Sequence, residues 1–367
     1  MKLLFIGNTA WSMYNFRRPV FIYFLKQGYE IIILAPKDNT YDKLLESIGC
    51  KFYPIAIDSK GKNPIKDLLT LFSIKEIMKK EKPDYCFFYT IKPNIYGSLA
   101  ARLLNIPYIP ITTGLGYIFS VNNWISNISK LLYKIAFKKA KKVCFLNKED
   151  ANTFINEKLI PENQVIIFNG EGIDVTKFNL ESNPKDISFI LIARIIWDKG
   201  VKEFVQAAQL IKQKYPLTKF KLLGFLGVDN PNAISKEQIN IWEKEGIIEY
   251  LGSTNDVRPY INSSTCVVLP SYYREGIPFC LMEGAASGKP IITTRNIGCK
   301  EVVEDGVTGF LCDIKDPITL SQCMEKIILM SDKERNEMGL KGRKKMENEF
   351  DIKLIIEKYK NIINFNE

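Results

Sequence analysis

At 367 residues the chain is too long for one hydrophobic core and suits two domains of roughly 150–200 residues. Its 46% hydrophobic and 12% aromatic content excludes a disordered chain, and no run reaches the ~18–20 apolar residues of a membrane span. The net charge of +10 is uneven: residues 1–183 carry 25 Lys+Arg against 16 Asp+Glu, residues 184–367 carry 26 against 25. The basic first half calls for an anionic partner, whether nucleic acid, an anionic membrane surface or a phosphorylated substrate.

The chain opens on the apolar strand "KLLFIG", with no signal peptide visible. The polar stretch "GNTAWSMYNFRRP" follows. Its Asn8, Thr9, Ser12 and Asn15, then Arg17 and Arg18, suit a phosphate or sugar at a sheet edge, or simply a helix start with two surface arginines. Further strands are expected at "EIIILAP", "YCFFYT", "YIPITT", "KKVCFLN" and "QVIIFN", with amphipathic stretches such as "IKDLLTLFSIKEIMKK" between. Lys92 and Asn94 follow one strand, and Thr113, Gly114, Leu115 and Gly116 another. Residues Ile125 to Lys142 form a basic amphipathic helix candidate, with Ile128, Leu131, Leu132 and Ile135 on one face. Lys130, Lys134, Lys138 and Lys141 share the adjoining face. Such a helix lies on an anionic bilayer, grips a lipid diphosphate, or packs in the domain with its lysines solvated.

The alternation of strand and helix breaks in the polar "LESNPKD" and then restarts. "ISFILIAR", "KFKLLGF", "IIEYLG", "CVVLPS", "PIITT" and "GFLCD" are the strands of a second parallel sheet. The expected division is 1–182, 183–345 and a charged helical tail, 346–367, packing back towards the first domain. The fold class is α/β, two doubly wound Rossmann-like domains facing across a cleft. In such sheets ligands sit beyond the carboxyl ends of the strands.

At that edge of the second sheet, "ARIIWDKG" places Arg194 and Lys199, a bidentate donor and a point charge suited to a diphosphate. "SYYREGIPFCLMEGAASGKP" places Glu275 in a loop. Glu283 falls within the helix expected from Pro278 to Ser287, stopped by Gly288. Gly276 lets backbone amides near the helix start approach an anion. A carboxylate accepts two hydroxyl donors at once, so the two glutamates suit ribose and a sugar.

Eight scattered cysteines, none in a Cys-x-x-Cys pair, read as buried reduced thiols of a cytosolic protein. The absence of histidine excludes a histidine base and any histidine-liganded metal, and no Asp-x-Asp cluster suggests a carboxylate metal site. No Gly-x-Gly-x-x-Gly opens either domain as a nicotinamide enzyme would want. A nucleic-acid groove with interleaved aromatics is missing too.

"ARIIWDKG", "YLGSTNDVRPYI", "VVLPSYYREGIPFCLMEGAASGKPIITT" and "GCKEVVEDGVTGFL" resemble the donor-binding domain of retaining glycosyltransferases of family four, which have the GT-B fold. The resemblance implies that Arg194 and Lys199 bind the donor diphosphate, Glu283 the ribose, and Glu275 the sugar and its developing oxocarbenium ion. It further implies that the amides of Gly276 and Ile277 line the pocket and that Gly252 flanks the base. "GNTAWSMYNFRRP", "DSKGKNP" and "YTIKPNIYGSLAARLLNIPYIPITTGLGYIFS" resemble a narrower bacterial group that extends undecaprenyl-diphosphate-linked sugars. That group includes the N-acetylgalactosaminyltransferases of N-glycan, capsule and O-antigen assembly. Many relatives carry a histidine near Thr113 that touches the sugar, so here backbone or hydroxyl groups must do so. The implied activity is transfer of a hexose, N-acetylgalactosamine favoured, from a UDP-sugar to a polyprenyl-diphosphate-linked sugar. No cofactor or metal is expected, and the enzyme is expected on the inner face of the cytoplasmic membrane. The competing readings are a UDP-sugar epimerase of the same architecture and a relative with a soluble or different lipid acceptor.

Overall fold

In the computed structural model, residues 1–58, 61, 63–119, 124–181 and 184–364 are described, apart from the side chains of Tyr117, Ile118 and Ile125. Counts below refer to these residues. Ser59, Lys60 and Lys62 of "DSKGKNP", Ser120, and the expected boundary pair Ser182 and Asn183 lie outside them.

The chain forms two units. Residues 1–172 and 352–367 make the first, and Ile173–Asp351 the second. The sequence break in "LESNPKD" therefore falls inside the second unit, in the approach to its first strand. The chain changes unit where Ile173 and Asp351 bridge in parallel and the Ile173 amide donates to the Phe350 carbonyl at 2.8 Å.

The first unit carries β1 (Lys2–Ile6), β2 (Glu30–Ala35), β3 (Lys51–Pro54), β4 (Tyr85–Tyr89), β5 (Tyr108–Thr112), β6 (Val143–Phe145) and β7 (Val165–Ile167). All pair in parallel in the order β3-β2-β1-β4-β5-β6-β7. Central strands such as "LLFI" and "YCFFY" are buried along their length. They have no polar alternation because helices cover both faces of the sheet. The helices are α1 (Ala10–Lys26), α2 (Tyr41–Ser47), α3 (Pro64–Glu81), α4 (Ser98–Leu103), α5 (Trp124–Phe137) and α6 (Lys148–Asn156), with a π-helical turn over Pro93–Gly97.

The second unit carries β8 (Ser188–Ile192), β9 (Lys219–Leu223), β10 (Glu249–Tyr250), β11 (Cys266–Leu269), β12 (Ile291–Thr294) and β13 (Gly309–Cys312). Their order is β10-β9-β8-β11-β12-β13, again parallel throughout. Its helices are α7 (Val201–Lys214), α8 (Lys236–Lys244), α9 (Arg258–Asn262), α10 (Phe279–Ala286), α11 (Pro317–Leu329) and α12 (Asp332–Lys345). The last helix, α13 (Ile352–Asn364), belongs to the first unit. There Tyr359 packs edge-on to Phe87 and Phe168, and its hydroxyl meets that of Tyr89 at 2.5 Å.

Each sheet reverses its strand order once, between β1 and β4 in the first and between β8 and β11 in the second. The loops leaving such a pair diverge to opposite faces and open a crevice. Every candidate donor-site side chain except Gly252 leaves β8 or β11, or sits on the helix after β11.

Two findings concern α5, whose end differs from expectation and whose covered face the sequence left open. It ends at Phe137, short of Lys142, because the following turn returns the chain to the sheet, where the Lys141 amide bonds the Tyr108 carbonyl at 3.2 Å. Its inward face is Tyr133, Ala136 and Phe137, not Ile128, Leu131 and Ile135, which face water. The aromatic volume of Tyr133 and Phe137 fills the space against Phe119 and Phe154.

Candidate active site

The second unit's crevice is built by two loops held against each other. After β8 the chain passes Ala193 and the exposed Arg194, then makes a helical turn over Trp197–Lys199. Gly200 closes the turn at φ 76°, where a Cβ would stand 2.1 Å from the Pro270 carbonyl oxygen, so only glycine lets the loops approach this closely. The Asp198 carbonyl accepts from the amides of Tyr272 and Tyr273, at 3.1 and 3.2 Å, and from the Ser271 hydroxyl at 3.2 Å. On the far side, Asn296 donates to the Tyr273 carbonyl at 2.6 Å, and Thr294 donates to that of Ser271 at 2.6 Å. The loop after β11 is thereby fixed from both sides before any ligand arrives.

That rigidity places Glu275. It forms an ion pair with Lys199 and accepts from the Ser271 hydroxyl at 2.9 Å. Both charged side chains are 12% exposed. Burial works against the Lys199 charge, but the Glu275 carboxylate outweighs it and holds Lys199 above its ordinary range, while Arg194 is close enough to push the other way. Lys199 stays an ammonium with donors to spare, beside a second cation in the same loop. Two cations at a sheet edge are a seat for a dianion.

The helix after this loop begins at Phe279, with Pro278 at its cap position and no side chain capping it. Gly276 and Ile277 are buried just before it. A helix start without a side-chain cap carries the positive end of a dipole, which favours an anion. Glu283 lies a turn and a half further on. Its surroundings push its carboxyl up to about 8, first through burial and then through Asp256, against the pull of Arg258. Asp256 and Arg258 are themselves joined by a two-pronged pair at 2.8 Å. Gly252, at φ 74°, lies after β10 and accepts from the Gly224 amide at 2.8 Å. A recess of about 720 Å³ beside α9, lined by Lys177, Asp256, Arg258 and Ser287, excludes Glu275 and Lys199.

In the first unit the candidate residues divide. Arg17 is buried and committed. It pairs with Glu171, donates to the Ser12 carbonyl at 2.9 Å and lies 3.9 Å above the Tyr89 ring. Burial raises the Glu171 carboxyl and Arg17 opposes it, the pattern of a structural pair. Lys92 pairs with Asp67 at 2.5 Å, and Tyr96 shares that carboxylate at 2.8 Å. Asn94 has no exposed surface and donates to the Ile111 carbonyl at 3.1 Å, so it braces the β4–β5 edge and does not face a ligand. Asn15 is exposed and bonds within α1 to the Trp11 carbonyl. Thr113 and Gly114, the latter at φ 116°, are part-exposed in the loop after β5. Lys130 pairs with Glu157 at 2.9 Å, whereas Lys134 and Lys138 point to water.

Sequence reasoning missed Ser271, Asp198, Asn296 and the Asp256–Arg258 pair. For Arg258 a signal existed in the two-residue spacing of "DVR" ahead of a helix start. Asp198 and Asn296 act through backbone carbonyls, and Ser271 joins one of these to the Glu275 carboxylate, which no spacing announces.

Residues 173–345 match the family model described as glycosyl transferases group 1, and residues 2–147 the one described as glycosyl transferase 4-like. The chain is 29% identical to the N,N'-diacetylbacillosaminyl-diphospho-undecaprenol alpha-1,3-N-acetylgalactosaminyltransferase of Campylobacter jejuni, over 98% of this chain and 97% of that one. It is 25% identical to the UDP-Gal:alpha-D-GlcNAc-diphosphoundecaprenol alpha-1,3-galactosyltransferase of Escherichia coli, over 88% and 85%. A crystal structure of a glycosyltransferase from Rickettsia africae superposes with a TM-score of 0.81 at 22% identity, over 99% of this chain and 98% of that one. With two parallel-sheet units, a cationic crevice at the second sheet's switch point and a family match in each half, the chain belongs to the glycosyltransferases of GT-B fold, 4-like in its first unit and group 1 in its second.

Proposed function

We propose that the chain transfers an N-acetylhexosamine, N-acetylgalactosamine in first place, from a UDP-sugar to a hydroxyl of an undecaprenyl-diphosphate-linked saccharide. The transfer proceeds with retention and without a metal, in building a surface glycan or an N-linked glycan. The observation that carries this reading is the Lys199–Glu275 pair beside Arg194, with the uncapped start of α10 and Glu283 behind it. The activities of the Campylobacter jejuni and Escherichia coli relatives support the acceptor class, and the second supports the UDP donor.

In this reading the diphosphate sits against Lys199, Arg194 and the α10 amides. The bond between the anomeric carbon and the diphosphate oxygen breaks, and UDP leaves with the electron pair. The acceptor oxygen bonds the same face of the anomeric carbon and gives its proton to the departing phosphate oxygen. No protein base is required, which suits a chain without histidine. The protein's work is positioning and neutralising the charge on the leaving group. Glu275 faces the sugar and aims Lys199, and Glu283 takes the ribose hydroxyls. Among the described residues no helix is long and apolar enough to cross a membrane. In this reading the enzyme meets its lipid-linked acceptor as a peripheral protein on the inner face.

The test is a panel of UDP-sugars incubated with and without a polyprenyl-diphosphate-linked sugar. Transfer from one UDP-N-acetylhexosamine, only with acceptor present, is expected. Isomerisation of the nucleotide sugar without acceptor would replace the transferase by an epimerase.

A further inference from the structure

Large apolar side chains that face water gather on one side of the first unit. Helices α3 and α5 both pack against the π-helical turn Pro93–Gly97, and α4 touches each of them. On α3, Ile65, Leu68, Leu69 and Phe72 stand at i, i+3, i+4 and i+7, all exposed, with Ile65 at 70%. They lie opposite Thr70, Ile74 and Met78, which face the sheet. On α5, Trp124, Ile128, Leu131 and Ile135 form a second outward stripe, with Trp124 at 71%. It lies opposite the buried Ser126, Tyr133 and Phe137.

A scattered exposed leucine needs no explanation, but a contiguous patch does. Neither stripe is a misread core face, because each helix already buries a complete apolar side beneath it. The exposed charge around the stripes is mainly positive, with Glu76, one turn past Phe72, the acid exposed on the α3 face. Lys66 on α3, and Lys134 and Lys138 beside the α5 stripe, are exposed, and none forms an ion pair among the described residues. Asp67, within the same two turns of α3, is turned inward to Lys92 and Tyr96. Apolar stripes edged by lysine fit one occupant well: an anionic phospholipid surface, acyl chains under the stripes and phosphates at the ammonium groups. A second copy would set lysine against lysine.

We propose that α3 and α5 together seat the first unit on an anionic bilayer, with the N-terminal two turns of α3 as an anchor equal to α5. Its use rests on the proposed lipid-linked acceptor, but its geometry does not.

The experiment floats the full chain, without substrate, on vesicles of phosphatidylcholine alone and of phosphatidylcholine with phosphatidylglycerol. Wild type is expected to float with the anionic vesicles. Leu69→Glu/Phe72→Glu is expected to lower partitioning at least about tenfold, and Ile128→Glu/Leu131→Glu to do the same. Lys134→Glu/Lys138→Glu should weaken it at least about 25-fold, about fivefold for each lysine lost. Circular dichroism melts check that each variant folds, and transfer to a detergent-solubilised acceptor should stay at wild-type level for the Leu69/Phe72 variant. Equal flotation on both vesicle types, or wild-type flotation by the α3 variant, would overturn the proposal. So would a wild-type dimer in sedimentation that the α3 variant converts to monomer. Because flotation uses no substrate, failed docking and failed transferase activity are read separately.

Discussion

Glu283→Gln should make the protein more stable and the enzyme worse. The change keeps the side chain's shape and removes a charge that α10 holds in packed surroundings. The folded carboxyl is pushed up to about 8, chiefly by burial and secondarily by Asp256. In the unfolded chain the same group titrates near ~4.3. Between these values the folded state holds a proton that the unfolded state has released, so wild-type stability falls as pH rises. The penalty is absent below ~4.5 and complete above ~8. Taken at about half the full linkage value, because the group keeps some exposure, it is on the order of 2–3 kcal/mol. That corresponds to roughly 5–10 °C in Tm for a domain of this size. Urea unfolding of wild type and variant at about pH 5.5, 7 and 8.5 measures it. The gap should be small at the lowest pH and widen in favour of the variant. UDP should raise the Tm of wild type but not of the variant if Glu283 holds ribose. A gap that stays constant with pH, or a variant less stable at pH 8.5, would refute the reasoning.

Lys199→Ala and Arg194→Ala should each lower kcat/KM for the donor at least ~100-fold, the scale of one lost preorganised donor. Lys199→Ala should in addition lower Tm, because the mostly buried Glu275 is left without its partner, whereas Arg194, being exposed, should leave Tm unchanged when replaced. Arg17→Ala should cost about 3–5 kcal/mol in urea unfolding by stranding the buried Glu171, with donor KM little altered in whatever protein stays folded. Gly200→Ala should cut activity and Tm together, since φ 76° and the Pro270 carbonyl leave no room for a Cβ. Dialysis against EDTA should leave the rate within about twofold, and loss restored by a divalent ion would contradict charge neutralisation by Arg194 and Lys199 alone.

Much of the second unit was legible because its chemistry is local. "CVVLP" is an apolar strand, Pro278 and Gly288 bracket a helix, and Glu275 and Glu283 fall on the loop and helix between. Strand order and crevice follow once the runs are recognised as parallel. The first unit was less legible because its decisive partners are remote. Arg17 meets Glu171 across 154 positions, and nothing near "NFRRP" warns that this arginine is committed. Lys92 meets Asp67 across 25. The covered face of α5 was not legible for a different reason: two apolar faces compete on that helix, and the aromatic one, Tyr133 and Phe137, fills the core. Periodicity reports that a face is apolar, not which of two is covered.

The most direct test is the configuration of the product. Wild type is given the accepted UDP-N-acetylhexosamine and a polyprenyl-diphosphate sugar, and the new anomeric proton is read by NMR beside that of the Lys199→Ala product. An α linkage from the α-configured donor, formed at least ~100-fold more slowly by Lys199→Ala, is predicted. A β linkage, or an unchanged rate in the variant, would contradict retaining transfer at the Lys199–Glu275 crevice.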